Sequence, residues 1–218
     1  MLERLRRQEG FLEATADIHG FRKQQRFMSE SRLGRSISRS HFSDTVVFSC
    51  TPERSDAHLM IEDIRRLWMH HIEMGHYLRG GLTIGDARHD EGAVFGPALV
   101  DAYRLERAVA SYPRIVVSDE AAVALEKFQL EGGPPLFRDE DGLVCFDLFP
   151  RHAEALGNPD LGGFLVRIRS QVTKDFEGTR DTSNYSDPVI ALNLRAKFGW
   201  LVKYIDGVIE DAAAQQQG

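Results

Sequence analysis

The pattern of apolar and polar positions predicts two long helices. Between residues 55 and 77, apolar side chains recur every three or four positions, the spacing of one helix face, and Asp56 can cap the start of this helix. A second long helix is expected to begin near Pro188, after a polar loop over residues 179–186. The apolar positions of the first helix are Met60, Ile64, Leu67, Trp68 and Ile72.

Short β-prone runs alternate with further helices. HFSDTVVFSC contains two such runs separated by Ser43 and Asp44, which predicts a hairpin. Because strands and helices alternate imperfectly, the pattern favours an α+β fold in which helices pack on a mostly antiparallel sheet. The other predicted elements are strands within 78–85, 93–96 and 114–118, a polar turn over 86–92, helices over 96–110 and 119–128, and a hairpin-rich stretch over 129–149.

The first 32 residues are rich in Glu, Arg and Gln and are predicted to be mainly helical. The exception is the segment 11–21, which could instead form a strand that ends in a turn at Gly20. No repeat or long linker divides the sequence, so one domain is expected over residues 1–218. Its core is expected over about 10–150, followed by a C-terminal helical extension over about 151–218.

Composition and charge narrow the range of possible functions. The 218 residues include 27 Lys and Arg against 33 Asp and Glu, a formal net charge of −6. This acidic balance argues against a general nucleic-acid partner, which needs a basic surface. The two cysteines form no CxxC pair, which favours a reducing cytoplasm. No apolar run approaches the roughly 18 residues of a membrane span, so none is expected.

Two segments together resemble the class III nucleotide cyclase domain. HFSDTVVFS resembles that family's strand, Gly-Asp turn and strand, with Ser43 in place of the glycine. RGGLTIG followed by AVFGPALVDAYRLERAVASYPRIVVSDE resembles its strand, glycine, arginine-bearing helix and strand. Within the class, RGGLTIG, FGPALVDAYRLE, YPRIVVS and KFGWLVKYID most resemble the Pycsar pyrimidine cyclases of bacterial antiphage defence. The resemblance covers residues 38–120 well, and it implies a ferredoxin-like, palm-type fold.

The resemblance implies metal-dependent chemistry. In nucleotide cyclisation the ribose 3′-hydroxyl attacks the α-phosphate of the same nucleotide and expels pyrophosphate. This reaction requires the reacting groups to be positioned and the developing negative charge to be stabilised. Two cations, Mg²⁺ or Mn²⁺, suit this task and take a pair of carboxylates from neighbouring strands. Asp44 at the hairpin tip is the first expected carboxylate, although Ser-Asp is also a common turn sequence.

The second carboxylate has two interpretations. The family carries it in the motif Asp-Ile-x-Gly-Phe, which implies a metal role for the aspartate and substrate contacts for the other three residues. The motif precedes Asp44 by only 27 residues, so the alternative is that residues 1–30 are the family's intervening helices and that its first strand lies upstream. The matching residues are Asp17, Ile18, Gly20 and Phe21.

Arg104 aligns with the arginine that stabilises the developing charge on the α-phosphate in this family. A planar guanidinium that is always charged suits that role. Arg104 shares a helix face with Val100, where the family often has an asparagine that orients the ribose. The alternative for Arg104 is a solvated surface ion pair with Glu106 or Asp101.

Two positions bear on the choice of base. Members of the class that use ATP read adenine with a lysine before the hairpin and an aspartate three residues before the helix glycine. Ser40 and Ala93 occupy those positions here, and neither offers a charged hydrogen-bonding group. The resemblance therefore implies a pyrimidine as the bound base and leaves UTP and CTP open.

Two further features have structural interpretations. Gly80 and Gly81 are expected to allow close packing beneath the nucleotide rather than to cradle a phosphate. The acidic stretch over residues 138–141 is predicted to be a solvated turn.

The resemblance thus implies a pyrimidine nucleotide cyclase that converts UTP or CTP to the 3′,5′-cyclic nucleotide and pyrophosphate. The resemblance implies a head-to-tail homodimer in which aspartates of one protomer face the arginine of the other. It also implies that the product is an antiviral second messenger for a separate effector. The alternative is a cyclase-like domain that binds nucleotide, or only dimerises, without turnover.

Overall fold

The computed structural model describes residues 37–42, 45–90, 93–128, 135–149 and 159–215, all within one compact unit, Ile37–Gly218. In these residues the chain forms five α-helices and eight short strands. The helices are α1 (Arg54–Glu73), α2 (Pro97–Arg104), α3 (Asp119–Lys127), α4 (Pro159–Gly178) and α5 (Pro188–Gln215). The strands are β1 (Ser38–Phe42), β2 (Thr45–Ser49), β3 (Gly80–Leu82), β4 (Arg88–Asp90), β5 (Ala93–Phe95), β6 (Ile115–Val117), β7 (Leu136–Arg138) and β8 (Val144–Phe146).

The strands form three sheets. β1 and β2 make the predicted antiparallel hairpin, with Phe42 opposite Thr45, and β4 and β5 make a second hairpin. The central sheet has the strand order β3-β6-β8-β7. Its β3–β6 pair is parallel because α2 carries the chain across between these two strands, whereas the other pairs are antiparallel. The α+β class and the mostly antiparallel pairing are therefore confirmed.

The two faces of the central sheet pack against different helices. Val117 of β6 and Phe146 of β8 lie in the main hydrophobic core, to which α1, α3, α4 and α5 contribute. Their neighbours Val116 and Cys145 point to the opposite face, because side chains alternate along a strand. There they form a second, smaller cluster with Ala110, just beyond α2. Helix α2 is thus held on the face opposite to the main core.

Helix α1 has the predicted amphipathic character. Leu67, Trp68 and Ile72 are buried as expected, and Ala57 and Ile61 are the buried positions in the first half of the helix. The predicted positions Met60 and Ile64 are only half-buried, and the most buried residue near them is Ile61, one residue after Met60. The second half of the helix follows the predicted positions.

The start of α1 differs from the prediction. Glu53 occupies the N-cap position without a side-chain capping bond, so the expected cap by Asp56 is wrong. Asp56 lies in the first turn instead, where its carboxylate accepts a hydrogen bond of 2.7 Å from the Thr51 hydroxyl. A negative charge in the first turn interacts favourably with the helix dipole.

Helix α5 is bound to the segment after β8 through Tyr204. The Tyr204 hydroxyl donates to the buried Asp147 carboxylate at 2.6 Å and accepts from the backbone N–H of Leu148 at 2.9 Å and of Phe149 at 3.3 Å. The Tyr204 ring also stacks on Trp200, with ring centroids 5.3 Å apart. One side chain thus satisfies three polar groups inside the core.

Arg114 connects β6 to the β7–β8 turn. Its side chain is only 2% exposed and donates to the carboxylates of Asp139 and Asp141. The hydrogen bond from Arg114 lowers the pKa of Asp141 below its ordinary value. Trp200 of α5 donates to Asp139 at 2.7 Å. The prediction of a merely solvated turn over residues 138–141 is therefore wrong, because two of its carboxylates pair with a buried cation.

Candidate functional site

The β1–β2 hairpin has two chemically different faces. On one face Arg39 is paired with Asp63 of α1. Because side chains alternate along a strand, Ser40 points to the other face, and the register places Ser49 on the same side, opposite Ser38. The hairpin therefore attaches to the helix layer by a charged pair and presents a row of hydroxyl groups away from it.

His89 of β4 lies between two of these hydroxyl groups. Ser40 Oγ is 2.7 Å from His89 Nε2, and Ser49 Oγ is 2.7 Å from His89 Nδ1. Burial lowers the pKa of His89 below its ordinary value, against the opposing effect of the nearby Asp90 carboxylate, so the imidazole is neutral at pH 7. We call this arrangement the Ser40–His89–Ser49 triad.

An open cavity of about 380 Å³ adjoins the triad. Its volume is in the range of small-molecule binding sites. The cavity combines hydroxyl, imidazole and charged groups, which suits a polar ligand. The lining residues are Ser38, Arg39, His89 and Asp90.

The two predicted base-reading positions both adjoin β4. Ser40 is bonded to His89, and Ala93 begins β5 directly opposite Asp90. The sequence did not identify His89, because residues 86–92 were interpreted as a polar turn. That interpretation is wrong for β4, whose short alternation of half-buried and exposed residues is too brief to stand out from a turn.

Arg104 lies at the end of α2 with 74% of its side chain exposed. Its Nη1 is 3.3 Å from the carboxylate of Asp101, one turn earlier on the same helix. Of the two ion pairs considered from the sequence, this is the one with Asp101, whereas Glu106 pairs with Arg79 at 2.6 Å. Exposed pairs of this spacing contribute little free energy, so an anionic ligand can readily displace Asp101.

Helix α2 and the strand before it carry exposed apolar side chains. Phe95 of β5 is 55% exposed, Val100 is 46% exposed and Tyr103 is 59% exposed. Val100 and Arg104 are four residues apart and share a face of α2, as predicted. Large apolar side chains grouped on a surface are typical of an interaction site.

Gly81 sets how closely α2 lies on β3. A methyl group at Gly81 would lie 2.7 Å from Leu105 Cβ and closer still to the Ala102 carbonyl oxygen. A methyl group at the neighbouring Gly80 would meet only ordinary contacts, at 3.4 Å or more. The expected close packing thus depends on Gly81, which helps to position Arg104.

The backbone on both sides of α2 is unusual. Gly96, before the helix, has a φ of +134°, and a methyl group there would lie 2.6 Å from the Asp86 carbonyl oxygen, so the position requires glycine. After Arg104 the chain continues as a π-helical turn, Leu105–Val109. Such turns are rare and occur often at functional sites.

The predicted metal ligands Asp17 and Asp44 lie outside the described residues, as do Ile18, Gly20 and Phe21. Within the described ranges, no group of three or more His, Cys, Asp or Glu side chains could hold a metal ion. The strands that flank residues 43 and 44 pair as the hairpin prediction requires. Mg²⁺ and Mn²⁺ prefer carboxylate oxygens as ligands. Binding of a metal ion by Asp17 and Asp44 therefore stays a prediction, and we assign no geometry to it.

Comparison with protein-family models, with curated proteins and with solved structures finds no match to this chain. In the part of the chain that the structure describes, no helix has the length and apolar character needed to cross a bilayer.

Proposed function

We propose that this protein is a metal-dependent pyrimidine nucleotide cyclase that converts UTP or CTP to the 3′,5′-cyclic nucleotide and pyrophosphate. Its product would serve as a second messenger in bacterial antiphage defence, acting on a separate effector in the cytoplasm. Mg²⁺ or Mn²⁺ held by Asp44 and Asp17 would neutralise the triphosphate and activate the ribose hydroxyl.

The observation that carries the proposal is the position of Arg104. It projects from the helix that follows Gly96, and this helix lies close on β3. The cyclase resemblance implies a phosphate-stabilising arginine on the helix after this glycine. Its exposed, easily displaced pair with Asp101 leaves the guanidinium able to bind the α-phosphate.

The surroundings of Arg104 favour action across a dimer. A catalytic arginine with three-quarters of its side chain exposed needs a second surface to exclude water from the developing charge. Phe95, Val100 and Tyr103 offer apolar area for such a contact. In a head-to-tail homodimer, Arg104 of one protomer would face the nucleotide held by Asp44 of the other.

A product assay tests the activity. The purified chain is incubated with each of the four nucleoside triphosphates and Mn²⁺, and cyclic products are measured by chromatography. We expect cyclic UMP or cyclic CMP from the wild type, and a loss of about 100-fold or more in Arg104→Ala and Asp44→Asn. Arg66→Ala is the matched control, because Arg66 is also exposed and pairs with an aspartate three residues earlier, on α1. Equal activity in Arg66→Ala and Arg104→Ala would overturn the role of Arg104.

A cyclase-like domain without turnover is the second candidate. The observation that favours it is Val100, which is exposed where an asparagine orients the ribose in the resembled family. An apolar side chain supplies no hydrogen bond to a ribose hydroxyl. Nucleotide binding by equilibrium dialysis, with no cyclic product from any triphosphate, would support this candidate against the enzyme.

A further inference from the structure

The Ser40–His89–Ser49 triad joins two hairpins that belong to separate sheets. β1 and β2 each contribute one serine, and β4 contributes the histidine between them. Each ring nitrogen of His89 lies 2.7 Å from a serine oxygen, so the imidazole is held on both sides. The position of the β4–β5 hairpin is therefore tied to the position of the β1–β2 hairpin.

The β4–β5 hairpin is in turn fastened to the first turn of α2. β4 pairs with β5, which leads directly into Gly96 and the helix. The Asp86 carbonyl oxygen, just before β4, accepts a hydrogen bond of 3.2 Å from the backbone N–H of Ala98. The same carbonyl oxygen packs so closely on Gly96 that a methyl group there would lie 2.6 Å from it. Movement of β4 is therefore passed to the start of α2, the helix that ends with Arg104.

The two ends of this connection serve different active sites in the proposed dimer. The β1–β2 hairpin flanks Asp44, which would hold the metal and the nucleotide of one site. Arg104 of the same protomer would face the nucleotide of the other site. The triad lies between these two ends within one protomer, and hydrogen-bond networks and rigid elements can carry energetic coupling between distant sites.

We propose that the Ser40–His89–Ser49 triad couples the two active sites of the dimer, so that a nucleotide bound at one site raises the affinity of the other. The nucleotide fixes the hairpin that flanks its metal ligand, and the triad passes this order through β4 and α2 to Arg104 of the second site. His89 and Ser49 act here as positioning residues. The inference rests on the proposed function, because it needs a dimer with shared sites. The competing interpretation is that the triad only fastens the two hairpins together.

Binding of a nucleotide that cannot react tests the coupling. The probe is the 3′-deoxy form of UTP or of CTP, whichever the product assay selects, because it lacks the attacking hydroxyl. The two stepwise affinities of the dimeric full chain are measured by isothermal titration calorimetry with Mg²⁺. For the wild type we expect the second affinity, corrected for the number of free sites, to exceed the first by about 3- to 10-fold, the effect of one hydrogen bond. An equal or lower second affinity would overturn the proposal.

Variants of the triad test its part in the coupling. His89→Phe removes both hydrogen bonds and keeps a ring, so the ratio of the two affinities should fall to about 1. Ser49→Ala removes one bond and should at least halve the ratio. Ser49→Thr keeps a hydroxyl group at this position and should retain the wild-type ratio. An unchanged ratio in Ser49→Ala would show that the triad is only a fastening.

Asp63→Ala is the matched control. It removes the ion pair that attaches Arg39 of the same hairpin to α1, and it leaves the triad and its connection to α2 in place. Its ratio of affinities should equal that of the wild type. A ratio that falls as far in Asp63→Ala as in Ser49→Ala would mean that loosening the hairpin at any point has this effect, which would overturn the role of the triad.

Binding and turnover together separate this inference from the proposed function. Coupled binding of the 3′-deoxy nucleotide without any cyclic product from UTP or CTP would support the coupling and overturn the cyclase. Cyclic product from a dimer with two equal and independent sites would support the cyclase and overturn the coupling. Absence of both nucleotide binding and product would overturn both.

Discussion

The two hairpins, β1–β2 and β4–β5, use their polar side chains in the opposite way to the C-terminal core. By the C-terminal core we mean strands β6–β8 together with Arg114, the segment after β8 and helix α5. In the hairpins β1–β2 and β4–β5, every strand residue is half-buried or exposed, and the Ser38 hydroxyl and the His89 imidazole line an open cavity. In the C-terminal core, Arg114 and Asp147 are almost fully buried and are bonded to neighbouring side chains. The difference indicates that the core supplies most of the stability, while the hairpins retain groups that a ligand can use.

The largest effect is expected at Arg114. Arg114→Met leaves Asp139 without the cation that offsets its burial, so the free energy of unfolding should fall by about 3–5 kcal/mol. Denaturant titration measures the change. Arg167→Met is the control, because Arg167 is 67% exposed and its pair with Glu73 is long at 3.9 Å, and it should leave the midpoint essentially unchanged. Equal effects would show that burial of Arg114 is not what stabilises the core.

A smaller effect is expected where α2 lies on the sheet. Gly81→Ala forces a methyl group against the Ala102 carbonyl, which should cost about 3 kcal/mol. Because α2 must move, cyclase activity should fall along with the melting temperature. Gly80→Ala, its neighbour on β3, meets only ordinary contacts and should cost less than about 1 kcal/mol. If the two variants melt together, α2 is not fixed by this contact.

Tyr204→Phe removes one oxygen atom from the core. Two backbone N–H groups and the Asp147 carboxylate each lose a partner, so unfolding should become easier by about 2 kcal/mol. Tyr103→Phe makes the same chemical change on a side chain that is 59% exposed, and its stability should stay within about 0.5 kcal/mol of the wild type. Calorimetry on both variants measures the difference.

The smallest effect is expected in the hairpins. Ser49→Ala removes a hydrogen bond to His89 at a half-buried position that water can reach, so the free energy of unfolding should change by less than about 1 kcal/mol. A loss as large as that of Tyr204→Phe would mean that the hairpins are part of the stabilising core.

Elements with a strong local pattern could be predicted from the sequence. Helix α1 follows from its apolar spacing, the β1–β2 hairpin from two β-prone runs around a polar pair, and α2 from the Gly-Pro start. The exposed position of Arg104 next to Val100 also follows from helix geometry. Each of these features depends on residues that are close together in the chain.

Features that depend on distant residues could not be predicted. His89 lies 49 residues from Ser40 and 40 from Ser49, so nothing local marks it as their partner. Arg114 likewise pairs with carboxylates 25 and 27 residues away, which turns an apparently solvated turn into part of the core. Tertiary structure creates both arrangements.

The central claim, that two chains share each active site, is tested most directly by mixing two inactive variants. Asp44→Asn supplies an intact Arg104, and Arg104→Ala supplies an intact Asp44, so a mixed dimer contains one complete site. After subunit exchange, an equimolar mixture should recover roughly a quarter of the wild-type rate of cyclic pyrimidine nucleotide formation. A mixture that stays as inactive as either variant alone, although mixed dimers are present, would contradict the account.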